Sequence, residues 1–201
     1  MNPQLDAWTG EFGNEYTKRN FLSPELIKKR SKKFEEIIKP LSPVSLLEVG
    51  CNIGLNLIAC LSFMRPPAVL AGVEPNQKAR RVAEMSGMQA FKVFSDVGQK
   101  LNFFDGFFDI VLTCGVLIHC ELSDAEKISK EMERVARKYI LFMEYFNKTD
   151  MEIEYHGVKG LLWKRNWPEY FKSWGFGKQI SCGFAGKEQG FDDVHWWIYK
   201  K

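Results

Sequence analysis

Residues 44–57, Val-Ser-Leu-Leu-Glu-Val-Gly-Cys-Asn-Ile-Gly-Leu-Asn-Leu, constrain what this chain can fold into more than any other segment. Val44 to Val49 is a short apolar run that includes β-branched residues, the pattern of a parallel strand buried on both faces. Gly50 and Gly54 then break the run, and Leu55 to Phe63 resumes with apolar residues at helical spacing until Pro66-Pro67 stops it. Strand, glycine-containing turn and helix form the opening unit of a nucleotide-binding α/β fold.

The chain after this unit repeats the alternation. Residues 69–73 predict a second strand ending at Glu74, and Pro75 starts a helix over 76–86 that Gly87 closes. Residues 90–95 predict a third strand ending at Asp96, and residues 108–114 a fourth, followed by Gly115. Ser123 and Glu126 read as a capping box for a helix over 124–137, and residues 139–143 are a fifth strand ending at Glu144. Such alternation requires a mostly parallel sheet with right-handed crossovers. Ahead of it, residues 25–38 form a basic amphipathic helix whose Leu26, Ile27, Phe34, Ile37 and Ile38 can cover the sheet. Past Glu144 the pattern changes. Residues 147–165 read as an excursion at the sheet rim and 167–174 as a short helix, while 178–184 and 194–199 read as an antiparallel pair at one edge. The expected organisation is one domain over 1–201, with a lid and helix over 1–43 and an acceptor-side excursion over 145–175.

Charge narrows the function classes. Lys and Arg number 28 and Asp and Glu 25, so the net charge of +3 sets up no broad field for a phosphate backbone, and a nucleic-acid substrate is not expected. No window reaches the roughly 20 apolar residues that span a bilayer, and the first ten residues lack the charged and apolar regions of a secretory signal. Five cysteines without CxxC spacing fit reduced thiols in a cytoplasmic protein, and three histidines with scattered cysteines offer no closed metal site.

The turn itself selects among nucleotides. Glu74 follows Gly54 by twenty residues, where a carboxylate accepts from ribose hydroxyls, and Asp96 is placed to take an adenine amino group. A dinucleotide fingerprint requires glycine at position 52, which here is Asn52, and no Gly-Lys-[Ser/Thr] follows for a P-loop. The pattern Glu48-x-Gly50-x-x-x-Gly54, with acidic ends on strands two and three, instead resembles class I S-adenosylmethionine-dependent methyltransferases. Residues 8–20, Glu144-Tyr145-Phe146-Asn147, Tyr155-His156-Gly157, residues 162–165, and Asp192-Asp193 with Trp196 resemble the branch associated with pseudaminic acid and surface-glycan gene clusters.

The resemblance implies a Rossmann-like α/β fold, with a seven-stranded sheet of order 3-2-1-4-5-7-6 and strand seven antiparallel. It implies S-adenosyl-L-methionine as cofactor and S-adenosyl-L-homocysteine as product. Glu48, Gly50, Asn52 and Gly54 would form the cofactor loop, Glu74 and Pro75 the ribose side, and Asp96 and Val97 the adenine slot. Cys114 and Gly115 would pass beneath the methionine portion, while Tyr16 and Arg19 belong to a lid that meets its carboxylate. The implied acceptor is a small molecule, nucleotide-linked or an acidic sugar, on a monomer or homodimer; O-methylation ranks ahead of N-methylation.

Methyl transfer from a sulfonium needs alignment, exclusion of water and the handling of one proton. His119, in the loop after the fourth strand, and Glu144, ending the fifth, are the candidates for that proton. Tyr145, Asn147, Tyr155, His156, Lys164 and Arg165 are the acceptor-side candidates, with Arg165 and Lys164 suited to an anionic group. Alternation puts Trp196 and Trp197 on opposite faces of the last strand, so one covers the sheet and the other is expected to border the acceptor cleft.

Overall fold

The computed structural model describes residues 3–155, 157 and 159–201. The five expected strand units are present as β1 (Ser45–Val49), β2 (Val69–Val73), β3 (Lys92–Phe94), β4 (Phe108–Cys114) and β5 (Ala136–Glu144). Two-residue strands β6 (Met151–Glu152) and β7 (Trp163–Lys164) form a small ribbon, and β8 (Lys178–Ala185) and β9 (Val194–Lys200) complete the main sheet. Its order is β3-β2-β1-β4-β5-β9-β8. The first five strands pair in parallel, and β9 runs antiparallel between β5 and β8. This is the expected seven-stranded order. His195, expected on an edge strand, sits instead on the internal β9 opposite Glu144.

Helices α1 (Pro3–Thr9), α2 (Glu11–Arg19), α3 (Pro24–Ile38), α4 (Leu55–Cys60), α5 (Gln77–Gly87), α6 (Leu122–Val135) and α7 (Trp167–Ser173) surround the sheet. The strict alternation of the central strands builds two cores. Leu46, Ile110, Leu112, Leu141 and Met143 face α3 and α4, burying Phe34, Ile38 and Leu57 among them. Leu47, Val111, Ile140 and Phe142 face α6 and α7, burying Ile128, Met132, Trp167 and Phe171. Burying one such side chain contributes about 1.5–3 kcal/mol, so these two layers dominate stability.

Three boundaries differ from the sequence reading. Helix α6 starts at Leu122 after Glu121, with no side-chain cap, so the Ser123 capping box is absent. It ends at Val135 because Ala136 is claimed by pairing with Phe108 in the sheet. The opening segment, expected as a lid, forms the two helices α1 and α2. Trp196 and Trp197 do occupy opposite faces, but both are buried in the two cores, and Trp197 packs against Phe171 rather than bordering a cleft. Among the described residues no helix is long and apolar enough to cross a membrane.

Candidate active site

Two cavities meet at the C-terminal ends of β1, β2 and β4. The first lies between these strand ends and the roof made by α1 and α2; Gly50, Val73, Glu74, Pro75, Val97 and Gly98 line its floor, and Leu5, Trp8, Gly13 and Tyr16 its roof. The second is more polar, with Glu48, Asn56, Arg30, Asn20, Tyr145, Tyr155 and Asp192 around it. Tyr16, Gly50, Asn52, Cys114, Gly115 and His119 line both.

The turn between β1 and α4 explains how the first cavity stays open. Gly50 has φ of 76°, and a β-carbon there would lie 2.5 Å from Val116 Cγ2, so only glycine fits. Asn52 also adopts positive φ, 47°, a conformation asparagine tolerates better than most residues. Its Oδ1 accepts from Ile53 N (2.7 Å), which locks the turn. Glu74 braces it from the next strand: Oε2 accepts from Asn52 N (2.8 Å) and Oε1 from Asn76 N (2.7 Å). Each carboxylate oxygen keeps a second lone pair for a ligand hydroxyl. Burial pushes the Glu74 pKa up, against these two hydrogen bonds.

The roof is fastened to this floor. Asn76 caps α5 through Ala79 N and donates from Nδ2 to the Trp8 carbonyl (2.9 Å) and Asn14 Oδ1 (3.2 Å). The Trp8 ring packs edge-on to Phe12 and Tyr16, with centroids 5.2 and 5.1 Å away, and lies 4.4 Å from the His119 ring.

His119 stands where the cavities join. Its Nδ1 is 2.6 Å from the Leu161 carbonyl oxygen. A carbonyl only accepts, so Nδ1 carries the proton and Nε2 presents a lone pair. Burial lowers its pKa to about 4, so the ring is neutral at pH 7. In the second cavity Glu48 is fully buried, which pushes its pKa to about 7; Oε1 accepts from Asn56 Nδ2 (2.6 Å) and Oε2 has no partner among the described residues. Arg30 holds this pair, donating to Asn56 Oδ1 (2.6 Å) and the Gly190 carbonyl (2.8 Å) while covering the Phe191 ring.

This strand order and turn chemistry match a known domain: residues 47–142 fit the family model described as a methyltransferase domain. The fold is the Rossmann-like class I methyltransferase fold. The fold is similar to that of a SAM-dependent methyltransferase from Leishmania major, at 16% identity over 98% of this chain and 85% of that chain, with a TM-score of 0.75. It is also similar to magnesium protoporphyrin IX methyltransferase from Synechocystis with bound SAH, at 13% identity over 98% and 97%, TM-score 0.69. A third likeness is 1,6-didemethyltoxoflavin-N1-methyltransferase from Burkholderia thailandensis, at 12% identity over 99% and 86%, TM-score 0.68. No curated protein sequence matches the chain.

This fold brings many of the sequence candidates together. Glu48, Gly50, Asn52, Glu74, Pro75, Val97, Cys114, Gly115, Tyr16, His119, Tyr145 and Tyr155 all line one cavity or both. Gly54 sits behind the turn as the cap of α4, against Phe91 and Ala83. Asp96 is turned aside: its carboxylate accepts from Asn102 N and Nδ2 (3.2 and 2.6 Å) and lines neither cavity. Arg19 is exposed over the outer face of the Tyr16 ring. His156 lies outside the described residues.

Four acceptor-side expectations require correction. Glu144 is fully buried and accepts from Val116, Leu117 and Ile118 N (3.2, 3.2 and 3.3 Å), so it anchors the loop after β4 instead of facing a substrate. Arg165 is 3% exposed and lines neither cavity; it donates to the Cys120 carbonyl (2.9 Å), lies 3.8 Å from the Asp150 carboxylate and stacks on the Trp163 and Trp167 rings, away from an acceptor. Lys164 covers the Tyr145 ring from outside the cavity. Asn147 binds Thr149 locally. Sequence reasoning also missed Trp8, Arg30, Asn56 and Asn76. Leu5, Trp8, Phe12 and Tyr16 recur at helical spacing, a signal for the roof; nothing in the pattern marks Arg30, whose partners lie 26 and 160 residues away.

Proposed function

We propose that this protein transfers the methyl group of S-adenosylmethionine, held in the first cavity, to a hydroxyl of a small polar acceptor seated in the second. The observation that carries this reading is the shared wall: Gly115 and His119 border both cavities, so a donor in one and an acceptor in the other meet there. The residues fit the cofactor. Glu74, in the wall of the first cavity, retains lone pairs for a diol, as suits the ribose. S-adenosylmethionine supplies both the methyl group and its leaving group.

The chain's own residues do the rest. Glu74 and Gly50 position the cofactor, the roof of α1 and α2 excludes water, and His119 Nε2 accepts the hydrogen bond of the attacking hydroxyl. A neutral imidazole held by Leu161 suits that task. With a pKa near 4 it aligns the un-ionised hydroxyl, and Nε2 takes the proton as the oxygen–methyl bond forms, when that proton has become far more acidic than an imidazolium. The surface-glycan resemblance supports a sugar acceptor. The second cavity favours hydroxyls over acidic groups, because Arg165 does not line it and the Glu48 and Asp192 carboxylates stand in its wall with Arg30. Glu48 and Asp192 in its wall support amine methylation as the second reading.

The test is direct. Calorimetry with S-adenosylhomocysteine, followed by mass spectrometry of a panel of free and nucleotide-linked sugars incubated with S-adenosylmethionine, should show cofactor binding and a gain of one methyl on oxygen. Binding with transfer only to amino groups selects the second reading. Tight NAD binding without any response to S-adenosyl ligands would overturn both.

A further inference from the structure

We infer that Trp8 is a cofactor-binding residue: its indole N–H donates a hydrogen bond to an acceptor atom on the nucleoside portion of the cofactor, and this bond seats α1 and α2 over the filled cavity. The inference rests on the reading of the first cavity as the S-adenosylmethionine site.

Trp8 Nε1 is buried and has no hydrogen-bond partner among the described residues. Buried N–H groups without partners are rare and costly, and each calls for an explanation. An indole nitrogen only donates, so the missing partner is an acceptor. The other buried side-chain atoms without partners belong to Glu48, Thr113, Ser129, His195 and Trp196, and none of these residues lines the first cavity. Trp8 does, across from Glu74, Pro75, Val97 and Gly98. These floor residues come from the ends of β2 and β3, the side where a nucleoside would lie, and a nucleoside offers ribose oxygens and ring nitrogens as acceptors.

The ring has little freedom to seek water instead. Phe12, Tyr16 and His119 pack around it, and its own carbonyl is held by Asn76. The unpartnered donor therefore sits in a prepared position, and binding needs no rearrangement to satisfy it. The contact with His119 extends the consequence to the second cavity. A cofactor that closes the roof also pins the imidazole whose Nε2 faces the acceptor, so acceptor alignment follows cofactor binding.

Trp8→Phe retains a six-membered ring against Phe12, Tyr16 and His119 and removes the donor together with part of the indole's packing area, and the indole resonance of the parent separates these two effects. Titration calorimetry of parent and variant with S-adenosylhomocysteine and with 5′-methylthioadenosine, which keeps the nucleoside and lacks the amino-acid portion, reads the effect. Both ligands should bind the variant about fivefold more weakly, the size of one neutral hydrogen bond. The melting temperature of the free protein should fall by no more than a few degrees, the cost of the smaller ring, because the lost N–H had no protein partner. In the ¹⁵N-labelled parent, the Trp8 indole resonance should move downfield with either ligand. Unchanged affinity in Trp8→Phe, or an indole resonance that stays in place while S-adenosylhomocysteine binds, overturns the inference. A loss confined to S-adenosylhomocysteine overturns the assignment to the nucleoside. If the parent binds neither ligand, it is the cofactor reading that has failed.

Discussion

At the scale of single residues, several side chains serve the site through the backbone. Glu74 is the clearest case, since its carboxylate both faces the first cavity and holds the amides of Asn52 and Asn76. Read as a strand end exposed to ligand, Glu74 would matter little for folding; bonded to two backbone N–H groups, it matters for both. Glu74→Ala should weaken S-adenosylhomocysteine binding by about 1.5–3 kcal/mol and also lower the unfolding free energy by about 1–3 kcal/mol, because two donors lose their acceptor. Calorimetry and urea unfolding on the same preparation separate the two losses. An affinity equal to the parent's would remove Glu74 from the ribose site. Asn52 makes a related point. Its identity excluded a dinucleotide turn from the sequence alone, and its positive φ shows why the site still accepts it: asparagine takes the glycine-like conformation and closes the turn with its own side chain.

At the scale of elements, the roof is the part least secured by the core. Helix α1 buries no residue fully and α2 buries only Gly13 and Thr17, so both are held by Asn76 and by the aromatic cluster around Trp8. Gly13 is the close approach that permits this docking: a β-carbon there would run into the Trp8 carbonyl oxygen and crowd Asn76 Nδ2 (3.0 Å). Gly13→Ala should favour helix α2 locally yet lift the roof. The expected outcome is a loss of cofactor affinity of about tenfold or more, near 1.4 kcal/mol, with a melting temperature of the free protein within a few degrees of the parent's. An undiminished affinity would show that the roof does not contribute to binding. The excursion after β5 behaves differently. Arg165, which looked like an acceptor contact, and Trp167 pack this segment onto the sheet, through the carbonyls of Cys120 and Tyr145 respectively.

At the scale of the whole molecule, the buried titratable groups make stability depend on pH. Burial raises Glu48 and Glu144 from 4.5 to about 7, and it lowers His119 from 6.5 to about 4. A raised carboxylate stabilises fully below its unfolded pKa, and that contribution is lost as pH rises through the folded value. The depressed histidine works the other way, its contribution growing as pH rises from 4 to 6.5. The two effects oppose one another below 6.5, and only the carboxylates act above it. The melting temperature of the ligand-free protein should therefore fall between about pH 6.5 and pH 8, and Glu144→Gln should make that slope shallower. A flat profile in the parent would mean that the two carboxylates are ionised at ordinary pH.

The five parallel units, the glycine turn and the acidic end of β2 were legible in the sequence because each follows from local chemistry. Apolar runs make buried strands, glycine permits a turn, and a carboxylate at a strand end points toward a ligand. The helical spacing of Leu5, Trp8, Phe12 and Tyr16 is an equally local signal that sequence reasoning passed over, and Leu5, Trp8 and Tyr16 roof a cavity instead of joining the core. Only the tertiary structure decided which polar residues face that cavity. Glu144, Arg165 and Asp96 look as suited to substrate as Glu74 does, yet each meets partners that satisfy it first, from another loop for Glu144 and Arg165 and six residues on in its own loop for Asp96. Arg30 and Asn56 become part of the site through contacts between distant elements. A side chain's type sets what it can bond, but whether the bond goes to the protein or to a ligand depends on which long-range neighbours the packing of the sheet brings within reach.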